Sequence, residues 1–208
     1  MQEVTAIERY SGSLVGLAVG DALGTTLEFS APGTFALIDD IVGGGPWDLA
    51  PGQWTDDTSM ALCLAKSLCE MQGFNPKDQM DRYVKWYREG YMSSTGQCFD
   101  IGGTVREALE RYEATGKPFS GSTDPLAAGN GSLMRLAPIA LYFAGNDEEV
   151  DAFCAKSSRT THRALECIDA CRYFGALLAG AVRGASKEQL LQPFFHFQQG
   201  WWENKPLT

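Results

Sequence analysis

Apolar residues recur at helical spacing along nearly the whole chain, and no run alternates apolar with polar residues as a half-buried strand does. The pattern predicts an all-α fold. A first helix covers about residues 6–23, and Gly12, Gly16, Gly20 and Gly24 fall at strict four-residue spacing along one of its faces. Each interior glycine costs about 1 kcal/mol of helix stability relative to alanine. A row of them therefore implies close helix–helix approach, and the expectation is a central, tightly packed helix. Glu8, Arg9 and Asp21 exclude a membrane-embedded small-residue face. A second helix opens at Trp54-Thr55-Asp56-Asp57-Thr58 and runs to about residue 70. Helices are then expected at about residues 77–89, stopped by Gly90, and 105–115, where Thr104 and Glu107 have capping-box spacing and Gly116 ends the element. Further helices follow at residues 133–143, after a cap at Asn146, at residues 162–183, and from Ser186, with Gln189 three positions on. No repeat or low-complexity linker interrupts the pattern, so one domain over residues 1–208 is expected.

A net charge of −9 argues against a duplex nucleic acid partner, which requires clustered Lys and Arg. Small phosphorylated ligands stay open, because a local glycine-rich or helix-terminal site binds phosphate whatever the global charge. The N-terminus has no charged region followed by an apolar one, and no stretch approaches bilayer-spanning length, so no membrane partner and a cytoplasmic location are expected. Cys63, Cys69, Cys98, Cys154, Cys167 and Cys171 lack the paired spacing of zinc sites and read as reduced core residues.

Chemistry concentrates between the helices. Asp56 and Asp57, flanked by Thr55 and Thr58, are either N-terminal helix residues favoured by capping and the dipole or oxygen ligands of a hard cation. Gly129-Asn130-Gly131 is either a phosphate cradle or an ordinary tight turn. Arg135 is a phosphate contact or, preferably, a buried ion-pair partner of Asp21 or Asp100. Asp21 must be paired or liganded if it faces a packed interior, and both it and Glu28 also read as solvated surface acids. His162, beside the capping candidates Thr160 and Thr161, and His196, among Phe194, Phe195 and Phe197, both have packing as the bland reading. No Gly-x-Ser-x-Gly elbow, Cys–His pair or Walker loop is present, which removes support for covalent catalysis and nucleotide-triphosphate chemistry.

Taken in order, Gly20-Asp21-Ala22-Leu23-Gly24 followed by Glu28, then Trp54-Thr55-Asp56-Asp57-Thr58, Phe99-Asp100-Ile101-Gly102, Gly129-Asn130-Gly131 with Met134-Arg135 and Pro138, and Thr161-His162 resemble the ADP-ribosylglycohydrolase family. The resemblance spans almost the whole chain. It implies a compact, orthogonal, all-α multi-helix bundle with a binuclear Mg²⁺ or Mn²⁺ centre, and hydrolysis of the bond joining ADP-ribose to a protein side chain or small acceptor. By the same resemblance Thr55, Asp56 and Asp57 are metal ligands, Glu28 is the acid near the metals that moves with its loop, and Asp100, Gly102 and Gly103 lie beside the substrate. Gly129, Asn130 and Gly131 cradle the diphosphate, and His162 helps to hold the ligand. Cations there would bind the vicinal hydroxyls of the distal ribose and activate water, with Glu28 or Asp100 taking the proton or stabilising oxocarbenium-like charge.

One departure is that family members carry a second acidic motif, Asp-x-Asp-Thr, that completes the metal site. This chain has only Ser122-Thr123-Asp124-Pro125 in its place, which does not reproduce the pattern. The expectation is therefore a half-encoded metal centre in a fold lacking its last helices, with Trp201 and Trp202 short of cover and truncation as the preferred explanation. Hydrolysis ranks first. The alternatives are an inactive ADP-ribose-binding member and a scaffold or partner-binding protein. The linkage cleaved stays open, and association into a homo-oligomer through exposed core is a further expectation.

Overall fold

The computed structural model describes residues 4–208, and these form nine α-helices with two isolated β-bridges in place of a sheet. The first helix, α1 (Ala6–Gly24), starts at a complete capping box in which Glu8 N–H donates to Thr5 Oγ1 and Thr5 N–H donates to the Glu8 carboxylate. Its expected central position is not observed. Ile7 is 79% exposed and Val15 60%, only Ala22 is buried, and no atom lies within 4 Å of where a Cβ would stand on Gly12, Gly16, Gly20 or Gly24. Glycine spacing clears room for a neighbour, but among the described residues no element occupies that room.

The central helix is instead α2 (Asp56–Met71), because its apolar residues cover two adjacent faces. Leu64 and Leu68 join one cluster with Leu136, Ile139 and Leu141 of the α5 region (Ala137–Tyr142), Val150 and Cys154 of α6 (Asp147–Arg159), and Ala179 and Val182 of α7 (Leu165–Val182). Met60 and Cys63 join a second cluster with Met80, Tyr83 and Trp86 of α3 (Pro76–Glu89) and Val105, Leu109 and Tyr112 of α4 (Gly103–Thr115). Each fully buried aliphatic side chain contributes about 1.5–3 kcal/mol, so α2 is clamped from both sides and its N-terminus is fixed in position.

Local sequence accounts for several boundaries. Asn75 accepts from Lys77 and Asp78 N–H ahead of Pro76, and Gly90 ends α3 at φ 71°, where an added Cβ would overlap the Gly96 carbonyl. Asn146 caps α6 as expected, and the Ser186–Gln189 capping box starts α8 (Lys187–Leu190). Three boundaries differ. The Thr104–Glu107 box does not form, because α4 begins at Gly103 and the Thr104 hydroxyl donates to the Ala127 carbonyl at 3.1 Å. The helix expected at residues 133–143 is shortened to α5, which follows a 3₁₀ turn at Asn130–Ser132 and starts only at Ala137 with Pro138 in its first turn. The helix expected from His162 begins at Leu165. His162 sits in the connection before it, bridged to Ser122.

At the other end, α9 (Trp201–Asn204) corrects the expectation about the aromatic pair. Trp201 is 6% exposed under a His196 ring stacked at 4.2 Å, and Trp202 meets Tyr173 edge-on at 5.9 Å, so both find cover within the chain. The packing reading of His196 therefore stands. The cysteines are all free. Cys63, Cys154, Cys167 and Cys171 are buried and Cys98 is half-buried, but Cys69 is exposed and is not a core residue. No helix of the described residues is long and apolar enough to cross a membrane.

Candidate active site

The polar end of α2 is assembled by Asp21 in the last turn of α1. Thr55 N–H and Oγ1 donate to Asp21 Oδ1 at 3.0 and 2.8 Å, and Thr58 N–H and Oγ1 donate to Oδ2 at 3.0 and 2.7 Å. One carboxylate thus satisfies two of the N–H groups that a helix start leaves free. Thr55 occupies the N-cap position without capping through its own side chain. The ion pair considered between Asp21 and Arg135 is absent, since Asp21 is met by backbone and hydroxyl donors instead. Preceding α2, Trp54 is tied to the turn after α3, where its Nε1 donates to Met92 O at 3.3 Å and its carbonyl accepts from Ser94 Oγ at 2.6 Å.

Four acids converge on this helix end. Asp56 and Asp57 begin α2. Glu28 follows the 3₁₀ turn Thr25–Leu27, and Asp100 stands just before α4 at φ 57°, a left-handed conformation that Asp tolerates better than most residues. The Asp100 loop is braced by Phe99 against Trp47, ring centroids 5.7 Å apart. Together with Gly102, Gly103, Gly129, Asn130, Gly131 and His162 these acids line one cavity of about 360 Å³, in which no Lys or Arg takes part. Thr55 lies just outside it, in an adjoining cavity shared with Asp21, Glu28, Asp57 and Asn130. Every residue that the family resemblance marks for the site, Thr55 apart, therefore lines that one cavity.

The electrostatics follow from burial without a counter-charge. Burial first, then Asp57, Asp100 and Asp21, push the carboxyl of Asp56 up to about 9. Burial, Asp21 and Glu28 raise Asp57 to about 6, and burial followed by Glu28 raises Asp100 to about 7. An oxygen-only donor set whose members resist ionisation together fits a hard cation such as Mg²⁺ or Mn²⁺. Among the described residues no three Asp, Glu, His or Cys side chains stand together closely enough to hold one ion unaided, so Asp56 and Asp57 would need Thr55 and water to fill the remaining positions.

The same cavity is lined by glycines that leave room in it. A Cβ on Gly131 would stand 2.9 Å from both His162 Cε1 and Val105 Cγ2. His162 is held through its backbone, its N–H donating to the Ser158 carbonyl at 2.8 Å and its own carbonyl accepting from Ser158 Oγ at 3.1 Å. Burial, then the nearby Arg135 guanidinium, lower its imidazole to about 4. Arg135 itself is 0% exposed and lies over the Tyr83 ring, 4.5 Å from the centroid, with neither Asp21 nor Asp100 as a partner. The expected ion pair is thus replaced by hydroxyl acceptors and an aromatic face. Sequence reasoning missed the joint role of Asp21 and Thr58. The signal was the Thr-x-x-Thr spacing of Thr55 and Thr58, which sets two hydroxyls on one side of a helix start.

A family model described as ADP-ribosylglycohydrolase matches residues 2–207. An ADP-ribosylarginine hydrolase Tri1 of Serratia proteamaculans is 42% identical over 191 residues, 92% of this chain and 52% of that protein. Its namesake in Pseudomonas putida is 45% identical over 188 residues, 90% of this chain and 50% of that protein. A solved structure described as an ADP-ribosylglycohydrolase-related protein complex superposes with a TM-score of 0.78 at 48% identity, covering 89% of this chain and 60% of that one. The chain thus spans about half the length of the curated relatives it matches.

Proposed function

The chain belongs to the ADP-ribosylglycohydrolase family, and from that premise we propose that it serves the metal-assisted removal of ADP-ribose from a modified protein side chain, arginine first. The observation that carries the reading is one cavity lined both by Glu28, Asp56, Asp57 and Asp100 and by Gly102, Gly103, Gly129, Gly131 and His162. ADP-ribose has two parts that match. Its diphosphate needs N–H donors and close backbone approach, which Gly102 and Gly103 at the start of α4 and Gly131 in the turn Asn130–Ser132 supply without an intervening Cβ. Its distal ribose presents vicinal hydroxyls suited to an oxygen-rich, acidic end.

Thr55, Asp56 and Asp57 would hold Mg²⁺ or Mn²⁺, which when bound supplies positive charge that offsets the carboxylates and orients the ribose. Asp100, raised into the neutral range by burial and Glu28, is suited to hold or release a proton at the reacting bond, with Glu28 beside it stabilising positive charge on the sugar. Arginine is put first because the two relatives at 42% and 45% identity are named for that linkage. The second reading, ADP-ribose binding without turnover, uses the same cavity.

Calorimetric titration of ADP-ribose with Mg²⁺ and then with excess chelator, paired with an assay for ADP-ribose released from an arginine-modified protein, tests both readings. Mg²⁺-dependent binding and turnover are expected, both lost in Asp56→Asn and Asp57→Asn while the circular dichroism stays that of the parent. Unchanged turnover in those variants refutes the metal assignment. Binding without turnover selects the second reading, and a folded protein that binds no ADP-ribose in either condition refutes both.

A further inference from the structure

Arg135 is an unusual residue to find at the centre of a fold. It is wholly buried, it has no carboxylate partner, and its Nε makes no hydrogen bond. A guanidinium is always charged and can only donate, so its placement dictates the direction of every bond around it. Nη2 donates to Thr160 Oγ1 at 3.2 Å and to Thr161 Oγ1 at 2.7 Å, while Nη1 meets Met60 Sδ at 3.7 Å. Thr160 disposes of its own proton by donating to the Ser157 carbonyl at 2.7 Å.

Thr161 has a single outlet. Its Oγ1 accepts from Arg135 and lies 2.8 Å from His162 Nδ1, and no other acceptor among the described residues is within its reach. Were Nδ1 protonated, the buried hydroxyl would receive two donors and its own proton would have no acceptor, a loss comparable to an unmade buried hydrogen bond. The satisfied arrangement runs one way, from guanidinium to hydroxyl to Nδ1. The ring proton then resides on Nε2, which has no hydrogen-bond partner among the described residues and belongs to a side chain that lines the cavity beside Gly129 and Gly131.

We propose that Arg135, acting through Thr161, fixes His162 as the Nε2-protonated tautomer, so that the ring offers one N–H to an acceptor oxygen of the bound ligand. Arg135 and Thr161 are positioning residues, and His162 is the contact. The tautomer follows from the buried network alone, whereas the identity of the acceptor, a diphosphate or ribose oxygen, rests on the function proposed above. The arrangement selects for oxygen acceptors at this corner and against a donor such as an amine.

Because the chain has only two histidines, long-range ¹H–¹⁵N correlation spectra of ¹⁵N-histidine-labelled protein resolve the tautomer directly. A His196→Gln variant assigns the other ring, which packs on Trp201 away from the site. The ligand-free parent is expected to show a hydrogen-bonded, unprotonated Nδ1 and a protonated Nε2. Thr161→Ser keeps that signature. Thr161→Val shifts Nδ1 to the position of an unbonded nitrogen and weakens ADP-ribose binding in Mg²⁺ roughly tenfold, the scale of one directed hydrogen bond. A protonated Nδ1 in the parent overturns the proposal, as does a Thr161→Val protein with the parent's Nδ1 resonance and affinity. A correct tautomer whose Nε2 resonance stays fixed while ADP-ribose saturates the site overturns the donor role. Failure of ADP-ribose to bind at all counts against the proposed function and leaves the tautomer to be judged on the ligand-free spectrum.

Discussion

Asp21→Ala removes the group that ties α1 to the start of α2, and the cost can be worked from its four donors, two N–H and two hydroxyl groups. Hydrogen bonds to a charged group contribute about 1.5–3 kcal/mol each, but these four share one carboxylate and one helix end, so they do not add. A lost N-cap alone costs up to about 2 kcal/mol, and the two threonine hydroxyls bring the gross loss to about 3–4 kcal/mol. Repulsion between Asp21 and the neighbouring Asp56 and Asp57 is relieved at the same time, returning about 1 kcal/mol. The net expectation is a loss of about 2–3 kcal/mol, equivalent to about 4–12 °C in Tm for a chain of this length. Urea unfolding in excess chelator, compared at unchanged m-value, is the appropriate assay. Asp21→Asn keeps one acceptor oxygen and should fall between parent and alanine. If Asp21→Ala costs less than about 0.5 kcal/mol, the α2 terminus is held by packing of Met60 and Leu64 alone and the account given for Asp21 is wrong.

Gly131→Ala should leave the circular dichroism and most of the stability intact while weakening ADP-ribose binding tenfold or more, because the new methyl enters the space beside His162 and Val105. Parent-like affinity in that variant means that the ligand does not approach this turn. The metal-free protein should lose stability as pH rises from about 6.5 to 8.5. Asp56 and Asp100 bind protons more firmly folded than unfolded, so their favourable contribution is lost as pH climbs through their raised values. His162, lowered to about 4, works in the opposite direction only below its ordinary value of 6.5 and stays silent in that window. Thermal scans in chelator would contradict the acid cluster's electrostatics if Tm were flat or rising, and added Mg²⁺ should reduce the slope.

What the sequence made legible divides along the range of the interactions. The stop at Gly90, the Asn146 cap and the Ser186–Gln189 box are settled within four residues, and each was readable in the chain. The Thr104–Glu107 box was equally plausible locally, but Ala127 competes for the threonine hydroxyl from 23 residues away. Likewise the α1 glycines announce a close neighbour without saying whether one is present. At the site, the letters and order of the motifs picked out the four acids, the four glycines, Asn130 and His162 that line one cavity, but not Phe29, Thr104 or Val105 beside them, because the family resemblance carries long-range information that periodicity lacks. Arg135 was misread for the complementary reason. A buried charge ordinarily implies an acid partner, and nothing local indicated that Thr160, Thr161 and Tyr83 would take that place.

The bare outer face of α1 has a consequence for the acid cluster on its inner side. Helices with little buried surface open at low free energy, ahead of global unfolding, and α1 buries only Ala22 fully. Asp21 rides on that helix, so each excursion of α1 also strips the start of α2 of its acceptor and loosens Thr55, Asp56 and Asp57. A lightly anchored helix thereby governs the acidic start of a buried one. By linkage, anything that covers the glycine row of α1 raises the fraction of molecules in which the cation ligands are assembled, and a cation that draws those ligands together holds α1 down in return.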